Sequence, residues 1–156
     1  MTDSPTDPLS HAISIAATAH YGQADKGGQP YILHPLRLMS KFTGQDERIV
    51  AVLHDVVEDS TTYTVEEARN DFGDHIADAL DAITKRKNEP YDAYLERVAA
   101  NPLASSVKLA DMEDNCDLSR LGREPTQADL DRVARYLLAR GKILLAQGKL
   151  DKATVD

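Results

Sequence analysis

The sequence has few of the residues needed for disulfides, thiolate metal sites or membrane spans. Cys116 is the only cysteine among 156 residues, which excludes an intrachain disulfide and a zinc site built from several thiolates. The longest purely apolar run, Ile49 to Leu53, is far too short to cross a bilayer. The N-terminal MTDSPTDPLS lacks the basic and apolar regions of a signal peptide. These absences predict a cytoplasmic protein.

Positive charge is also scarce. The chain has 18 Lys and Arg against 26 Asp and Glu, a formal net charge of −8. Such a surface repels duplex DNA and anionic lipid, and no long basic stretch overrides it, so neither nucleic acid nor a membrane is expected as a partner. An anionic substrate would need a metal ion or a local cluster of Lys and Arg. The clustered carboxylates described below favour the metal ion.

Strand patterns are nearly absent, and aromatic residues make up only 5% of the chain, with no Trp. Helix signals dominate, so the predicted fold class is all-α, a single bundle of seven to eight helices. Thr64-Val-Glu-Glu67 has the pattern of a capping box and opens one of these helices, and Thr126-Gln-Ala-Asp129 opens the last one. The domain is expected to span residues 9–148, between a flexible segment 1–8 and a tail 149–156. The other predicted helices cover about residues 9–22, 35–42, 46–59, 73–86, 91–100 and 103–116, and the one opened at Thr126 runs to about 147.

The predicted helix 46–59 is strongly apolar around much of its circumference, which indicates burial. It carries His54 and Glu58 four residues apart, and Asp55 and Asp59 at the same spacing, so each pair stacks along one row. Carboxylates this close in a buried site need a compensating cation, and a divalent ion supplies it. His54 and Asp55 could converge on one ion. Glu58 and Asp59, about 6 Å further along by helix rise, suit holding or deprotonating the attacking water.

Each of these residues also has an ordinary structural interpretation. A bare His-Asp pair near a helix end is more often a pair of solvated polar residues than a metal site. His34, before a predicted helix start, taken alone is more often a capping or core histidine, and Asp111 alone is an ordinary helix acid. His20 is interpreted as structural rather than as a ligand. The burial of the central helix and the Glu-Asp pair one turn after His54-Asp55 favour a metal site over these structural interpretations.

Four segments occur in order and together form a specific set: AHYGQ at 19–23, PYILHP at 30–35, LHDVVED at 53–59 and VKLAD at 107–111. Together they closely resemble the hydrolase domain of RelA/SpoT-type alarmone enzymes, including their free-standing small relatives. The resemblance covers roughly residues 10–120. It implies an HD-type phosphohydrolase with one manganese ion, a site that Mg²⁺, Fe²⁺, Co²⁺, Ni²⁺ or Zn²⁺ could also occupy. The ligands it implies are His34, His54, Asp55 and Asp111.

The same resemblance implies a reaction and a substrate. The family removes the 3′-pyrophosphate from ppGpp or pppGpp, leaving GDP or GTP, and Glu58 and Asp59 would handle the attacking water. The small nucleotide would be bound by Lys26, Lys108 and Asn115. A chain of 156 residues has no room for the synthetase half of the long alarmone enzymes, so pyrophosphate transfer from ATP is not expected.

Two positions depart from the family pattern. Asp25 and Asp117 stand where the family usually carries arginine, whose planar face and fixed donors an aspartate cannot replace. Arg120 or Arg123 could compensate. The departures keep open an HD-type phosphomonoesterase, for example an NADPH 2′-phosphatase or a nucleotidase. A non-catalytic nucleotide-binding module is a third alternative, disfavoured because it would not need water-activating acids. A homodimer is also left open.

Overall fold

The computed structural model describes residues 7–152 as helices joined by short loops. Residues 1–6 and 153–156, which belong to the predicted segments 1–8 and 149–156, lie outside this description. Within residues 7–152 there is no strand, only an isolated bridge between Ala24 and Pro30. The predicted all-α fold class is confirmed. The elements are α1 Pro8–Ala19, α2 Leu33–Ser40, α3 Gln45–Leu53, α4 Val56–Asp59, α5 Val65–Phe72, α6 Asp74–Ile83, α7 Tyr91–Ala100, α8 Pro102–Cys116, a 3₁₀ turn Leu118–Leu121, and α9 Gln127–Ala146.

The predicted capping box at Thr64 is present, and the predicted helix start at Thr126 also proves to be a capping box. The Thr64 hydroxyl accepts a hydrogen bond from the Glu67 amide, and the Glu67 carboxylate accepts one from the Thr64 amide. Thr126 and Asp129 make the same reciprocal pair at the start of α9. These pairs satisfy amides that would otherwise lack partners at a helix start, and therefore define where α5 and α9 begin.

The central element is α3, whose last five residues, Ile49 to Leu53, are all buried. It packs against α1, α2, α6 and α8 in the larger hydrophobic core. A smaller core joins α7, α8 and α9 around Tyr94, Met112 and Ile143. Because α8 contributes to both cores, it is held rigidly beside α3. The chemically interesting residues of both helices are thereby placed on a fixed frame.

The prediction of one continuous helix over residues 46–59 is wrong in one respect. The chain leaves the α-helix after Leu53, passes through His54 and Asp55, and resumes as the single turn α4. The His54 ring turns back and its Nδ1 contacts the Ala51 carbonyl oxygen at 2.7 Å. His54 and Asp55 therefore lie at a junction between two helices, and their side chains are not constrained to the rows of one regular helix.

None of the helices in the described part of the chain combines the length and the apolar character that a membrane span requires.

Candidate metal centre and active site

Three buried side chains from distant parts of the sequence meet beside α3. His34 comes from the first turn of α2, His54 from the end of α3 and Asp111 from the middle of α8. The His34 Nε2 lies 2.9 Å from Asp111 Oδ1, and the His54 Nε2 lies 3.4 Å from the same oxygen. The two Nε2 atoms are 3.3 Å apart. One donor atom from each side chain thus converges on a common point, which is the arrangement of a metal site.

Asp55 adds a fourth oxygen to this group. Its Oδ2 lies 3.0 Å from His54 Nε2 and 3.9 Å from His34 Nε2. Burial raises the pKa of Asp55, but His54 and a hydrogen bond from the Tyr31 hydroxyl outweigh burial and hold the pKa below its ordinary value. Burial and the nearby Asp55 charge raise the pKa of Tyr31, so this phenol stays neutral and donates. Asp55 is therefore a carboxylate in a fixed position.

Both imidazoles are oriented by the nitrogen that faces away from the cluster. The Nδ1 of His34 lies 2.7 Å from Asp114 Oδ2, and the Nδ1 of His54 lies 2.7 Å from the Ala51 carbonyl oxygen. Because these oxygens are acceptors, each neutral ring carries its proton on Nδ1 and presents a lone pair at Nε2. A carboxylate behind a histidine is a common way to orient a metal ligand.

The electrostatics of the cluster favour positive charge. Burial opposes a charge on His54, but Asp55 and Asp111 outweigh it and raise the pKa of His54 well above its ordinary value. Burial also opposes ionisation of Asp111, yet Lys108 and the two histidines hold its pKa well below the usual range. With both imidazoles neutral, two lone pairs and two carboxylates would face one another in this buried site. That donor set fits a divalent cation, which would replace the His54 proton and neutralise the carboxylates.

Lys108 and Asn115 both contact the same carboxylate on α8. The Lys108 ammonium lies 2.8 Å from Asp111 Oδ2, and the Asn115 amide nitrogen lies 2.9 Å from Asp111 Oδ1. Burial disfavours the charge on Lys108, but Asp111 more than compensates and raises its pKa. Both residues were predicted to bind substrate. The structure places both beside Asp111, at the edge of the group formed by His34, His54 and Asp111.

Glu58 and Asp59 lie on α4, directly after the Asp55 junction, and both are exposed. This differs from the sequence argument, which assumed buried carboxylates throughout. Partial burial around the Glu58 carboxyl, together with the charges of Asp55 and Asp59, raises the pKa of Glu58. Among the described residues neither carboxyl is engaged in a side-chain hydrogen bond. They are therefore available to solvent beside the buried cluster.

An open pocket lies against the His34 side of the cluster. The loop between α1 and α2 contributes Asp25 and Lys26 to its lining, and the end of α8 contributes Asn115 and Asp117. Its further cationic and aromatic lining residues are Tyr31, Arg37, Arg120, Arg132 and Tyr136. Although the chain as a whole is acidic, the pocket reaches from His34 to four cationic side chains: Lys26, Arg37, Arg120 and Arg132.

The two aspartates that depart from the family pattern are held in local structure. Asp25 Oδ1 accepts hydrogen bonds from the backbone amides of Gly27 and Gln29 and closes the loop. Asp117 accepts from the Ser119 amide and pairs with Arg120 at 3.0 Å. Of the two arginines considered as compensation, Arg120 lines the pocket. Arg123 instead pairs with Asp129 at the start of α9 and is not among the pocket residues.

Sequence reasoning missed Asp114, which is central to the site. It contacts the His34 ring and forms a two-pronged ion pair with Arg37, whose Nε and Nη2 each lie 3.0 Å from a carboxylate oxygen. Arg120 reaches it at 3.2 Å. The sequence feature that could have identified Asp114 is its position three residues after Asp111, because this spacing places both carboxylates on one side of α8. Tyr31, Arg37, Arg132 and Tyr136 were missed as well.

The other histidines lie outside the cluster. His20 is buried, its Nδ1 contacts Gln23 Oε1 at 2.9 Å, and its ring packs on Tyr31. His11 and His75 are more exposed and face Asp71 and Asp46. In residues 7–152 a single group of converging His, Cys, Asp and Glu donors with metal-site geometry is found, and it consists of His34, His54 and Asp111.

Fold and site together define the class: an all-helical protein with a buried cluster of histidine and aspartate side chains whose donor atoms could hold a divalent metal ion. The family model described as HD domain matches residues 12–114. The chain belongs to the HD domain family.

Relatives in the curated collection extend the likeness to long alarmone enzymes. A protein of Aquifex aeolicus (strain VF5) named guanosine-3′,5′-bis(diphosphate) 3′-pyrophosphohydrolase is 33% identical over 145 residues, covering 85% of this chain and 21% of the relative. A protein of Streptomyces coelicolor (strain ATCC BAA-471 / A3(2) / M145) named GTP pyrophosphokinase is 33% identical over 120 residues, covering 69% of this chain and 14% of the relative. The chain therefore spans about a fifth or less of the length of these relatives.

A solved structure described as a metazoan ortholog of SpoT that hydrolyzes ppGpp shares the fold. Its TM-score is 0.67 at 24% identity, and the match covers 94% of this chain and 98% of that one. The likeness extends over nearly the whole of both chains, so the two share the helical fold described above.

Proposed function

We propose that this chain is a manganese-dependent hydrolase that removes the 3′-pyrophosphate from ppGpp, pppGpp or a closely related purine nucleotide. The observation that carries the proposal is the convergence of the His34, His54, Asp55 and Asp111 donor atoms beside a pocket with four cationic side chains. The names of the long relatives and of the structural neighbour support the same substrate class.

In this proposal His34, His54, Asp55 and Asp111 hold the ion. A bound divalent ion supplies Lewis acidity at a phosphoryl oxygen and lowers the pKa of water towards neutrality. Asp114 keeps the His34 Nε2 aimed at the cluster, and the Ala51 carbonyl does the same for His54. Lys108 and Asn115 hold the Asp111 carboxylate from two sides. The ligands are thus arranged before any ion or substrate arrives.

Glu58 and Asp59 act on the attacking water. Both lie within one helical turn after Asp55, and both carboxyls are open to solvent. The raised pKa of Glu58 suits a base that accepts a proton during hydrolysis, because a carboxylate of ordinary pKa is a weaker acceptor near neutral pH. One of the pair positions the water and the other takes its proton.

The pocket binds the nucleotide through charge. Lys26 is exposed at its rim, while Arg37 and Arg120 project into it from α2 and the 3₁₀ turn. Arg37 donates through Nε and Nη2 to Asp114, and Arg120 donates through Nη1 and Nη2 to Asp117 and Asp114. These arginines therefore offer a phosphate their positive charge and their remaining N–H donors. Tyr31 and Tyr136 offer aromatic surface for a base. Arg120 places one positive charge in the pocket where the family pattern has arginines at positions 25 and 117, but Asp117 and Asp114 pair with it, so the compensation is partial.

A second candidate keeps the metal chemistry and changes the substrate. Asp25 and Asp117 line the pocket and add negative charge where the family pattern has positive charge. This favours a less highly charged substrate, such as the 2′-phosphate of NADPH or a nucleoside monophosphate. A non-catalytic nucleotide-binding module is disfavoured, since the two solvent-accessible carboxylates of α4 have no evident role in binding an anion.

The test is release of phosphate and pyrophosphate from a nucleotide panel, with manganese and with chelator. The panel contains ppGpp, pppGpp, their adenine analogues, NADPH and nucleoside monophosphates. We expect manganese-dependent pyrophosphate release from ppGpp or pppGpp. Phosphate release from NADPH or a monophosphate would move the function to the second candidate. No release from any compound, with metal shown to be bound, would contradict both.

The role of α4 has its own test. Glu58→Gln and Asp59→Asn should each lower kcat by at least about 100-fold, because the proton acceptor or its partner is lost while the charge-neutral amide keeps the shape. Metal affinity, measured by calorimetry, should remain unchanged. Glu66→Gln on the exposed start of α5 is the matched control and should keep full activity. Full activity in both α4 variants would contradict the assigned role.

A further inference from the structure

The last helix carries an apolar surface that no described part of the chain covers. The α9 stripe consists of Leu130, Ala134, Leu137, Leu138, Gly141 and Leu145. Its four leucines are between 38% and 69% exposed. Since successive residues of an α-helix are rotated by about 100°, these positions share one side of α9. The opposite side holds Ala139 and Ile143, which are buried in the smaller core. A patch of large apolar residues in water marks an interaction surface.

The α9 stripe reads the same in both directions. Its centre lies between Leu137 and Leu138, and reversal about that point exchanges Leu130 with Leu145 and Ala134 with Gly141. If two copies of α9 pack antiparallel about a two-fold axis at this centre, leucine meets leucine and a small residue meets a small residue. Self-complementarity of this kind is what a two-fold symmetric interface requires.

Gly141 has no role within its own chain that would require glycine. It lies in the interior of a 20-residue helix, where glycine is destabilising. A Cβ added at this position would meet no atom within 4 Å. In the antiparallel pair, Gly141 lies opposite Ala134 of the other copy. The absence of a side chain there allows the two helices to approach closely.

Charge beside the stripe agrees with the antiparallel arrangement. Asp131 and Lys142 lie on the same flank of the stripe, at opposite ends of it. A two-fold axis perpendicular to α9 keeps each flank on its own side, and it brings Asp131 of one copy to within about 3 Å, along the helix axis, of Lys142 of the other. Lys142 also pairs with Asp92 of its own chain at 2.6 Å, and the exposed Arg135 lies one turn after Asp131 on the same flank. The contact with Asp131, which occurs twice by symmetry, would therefore add to an existing charge network. In parallel packing, about an axis along α9, the same flank of the two copies would lie on opposite sides of the interface, so Asp131 of one copy could not meet Lys142 of the other.

We propose that the α9 stripe is a homodimer interface in which α9 of two copies packs antiparallel about the midpoint between Leu137 and Leu138. This proposal does not depend on the proposed function. Arg132 and Tyr136, which line the nucleotide pocket, project from the opposite side of α9, so the dimer leaves each pocket open.

Sedimentation equilibrium of the complete chain at micromolar concentration tests the dimer. Ala134→Lys places a charge within the apolar contact, opposite Gly141 of the other copy, and should weaken dimerisation by at least about tenfold. The matched control is Ala146→Lys, an exposed position on the same helix that lies off the stripe. We expect dimers for the wild type and the control. A monomeric wild type, or equal dimerisation of both variants, would overturn the proposal. Circular dichroism shows whether each variant is folded.

Thiol cross-linking tests the orientation. In a Cys116→Ser background, the single variants Leu130→Cys and Leu145→Cys should cross-link with each other when mixed and treated with a short bifunctional thiol reagent. Neither should cross-link alone, because identical positions lie about 22 Å apart in the antiparallel pair. Cross-linking of Leu130→Cys with itself would indicate parallel packing and would contradict the arrangement.

Discussion

Asp114 lies directly behind His34, one of the proposed metal ligands. Its carboxylate contacts the His34 Nδ1 and is itself held by Arg37 and Arg120. Burial raises its pKa, but Arg37 and His34 outweigh burial and keep the pKa below its ordinary value. The carboxylate therefore stays charged, fixes the His34 ring and increases the basicity of Nε2.

Replacing this carboxylate should weaken metal binding. We expect Asp114→Asn to lower manganese affinity by about 10- to 100-fold, because an amide orients the imidazole less strongly and cannot stabilise its positive charge. Isothermal titration calorimetry measures the change. The matched control is Glu113→Gln, whose exposed carboxylate contacts only Lys41. Equal affinity of the Asp114 variant and the wild type would show that His34 is oriented by other groups.

At the scale of elements, two side chains of α7, Arg97 and Tyr94, donate hydrogen bonds to carbonyl oxygens at the end of α6. Arg97 donates to the carbonyl oxygens of Asp81 and Thr84 and pairs with Glu89 at 2.7 Å. The hydrogen bonds from Arg97 and from the Arg86 amide lower the pKa of Glu89 from 4.5 to about 2. The Glu89 carboxylate, which is charged in the folded protein, thus holds the loop between α6 and α7 against Arg97.

This contact predicts a pH dependence of stability. Because the folded state lowers the Glu89 pKa, its contribution is complete above about pH 4.5 and is lost as the pH falls through about 2. We expect the free energy of unfolding to decrease more steeply between pH 5 and pH 2 in the wild type than in Glu89→Gln. Urea denaturation at a series of pH values measures both slopes. Identical slopes would rule out a specific contribution from Glu89.

At the scale of the whole molecule, the metal site connects elements that are far apart in the sequence. The proposed ligands come from α2, the α3–α4 junction and α8, and one ion would bind all three to one another. Without an ion the clustered carboxylates depend on Lys108 and protonated imidazole for compensation. The folded state should therefore bind metal far better than the unfolded chain.

Metal should consequently raise the melting temperature. A ligand present at 100 times its dissociation constant stabilises the folded state by about 2.7 kcal/mol. For a chain of this size that corresponds to roughly 5–10 °C in Tm. Thermal denaturation followed by circular dichroism, with manganese and with chelator, measures the shift. Asp111→Asn should lose it. A Tm that is independent of manganese at saturating concentration would contradict the four-residue site.

Local features determined what the sequence could predict by itself. Helix caps at Thr64 and Thr126, the near absence of strand patterns and the scarcity of cysteine depend on neighbouring residues or on composition, so the all-α class followed without coordinates. The segments around His34, His54 and Asp111 were recognisable because each has a distinctive local pattern. Their assignment as ligands, and that of Glu58 and Asp59 as water-handling residues, remains a proposal.

Only the tertiary structure decided how these segments meet. The break at His54 was not predicted, because the apolar pattern continues through it and the His54 contact with Ala51 is a matter of side-chain geometry. His34 and Asp114 are 80 residues apart, so no sequence spacing could pair them. The same holds for the pocket arginines, which come from separate elements. Local interactions determine where helices begin, whereas the packing of α8 against α2 and α3 determines which charges share one site.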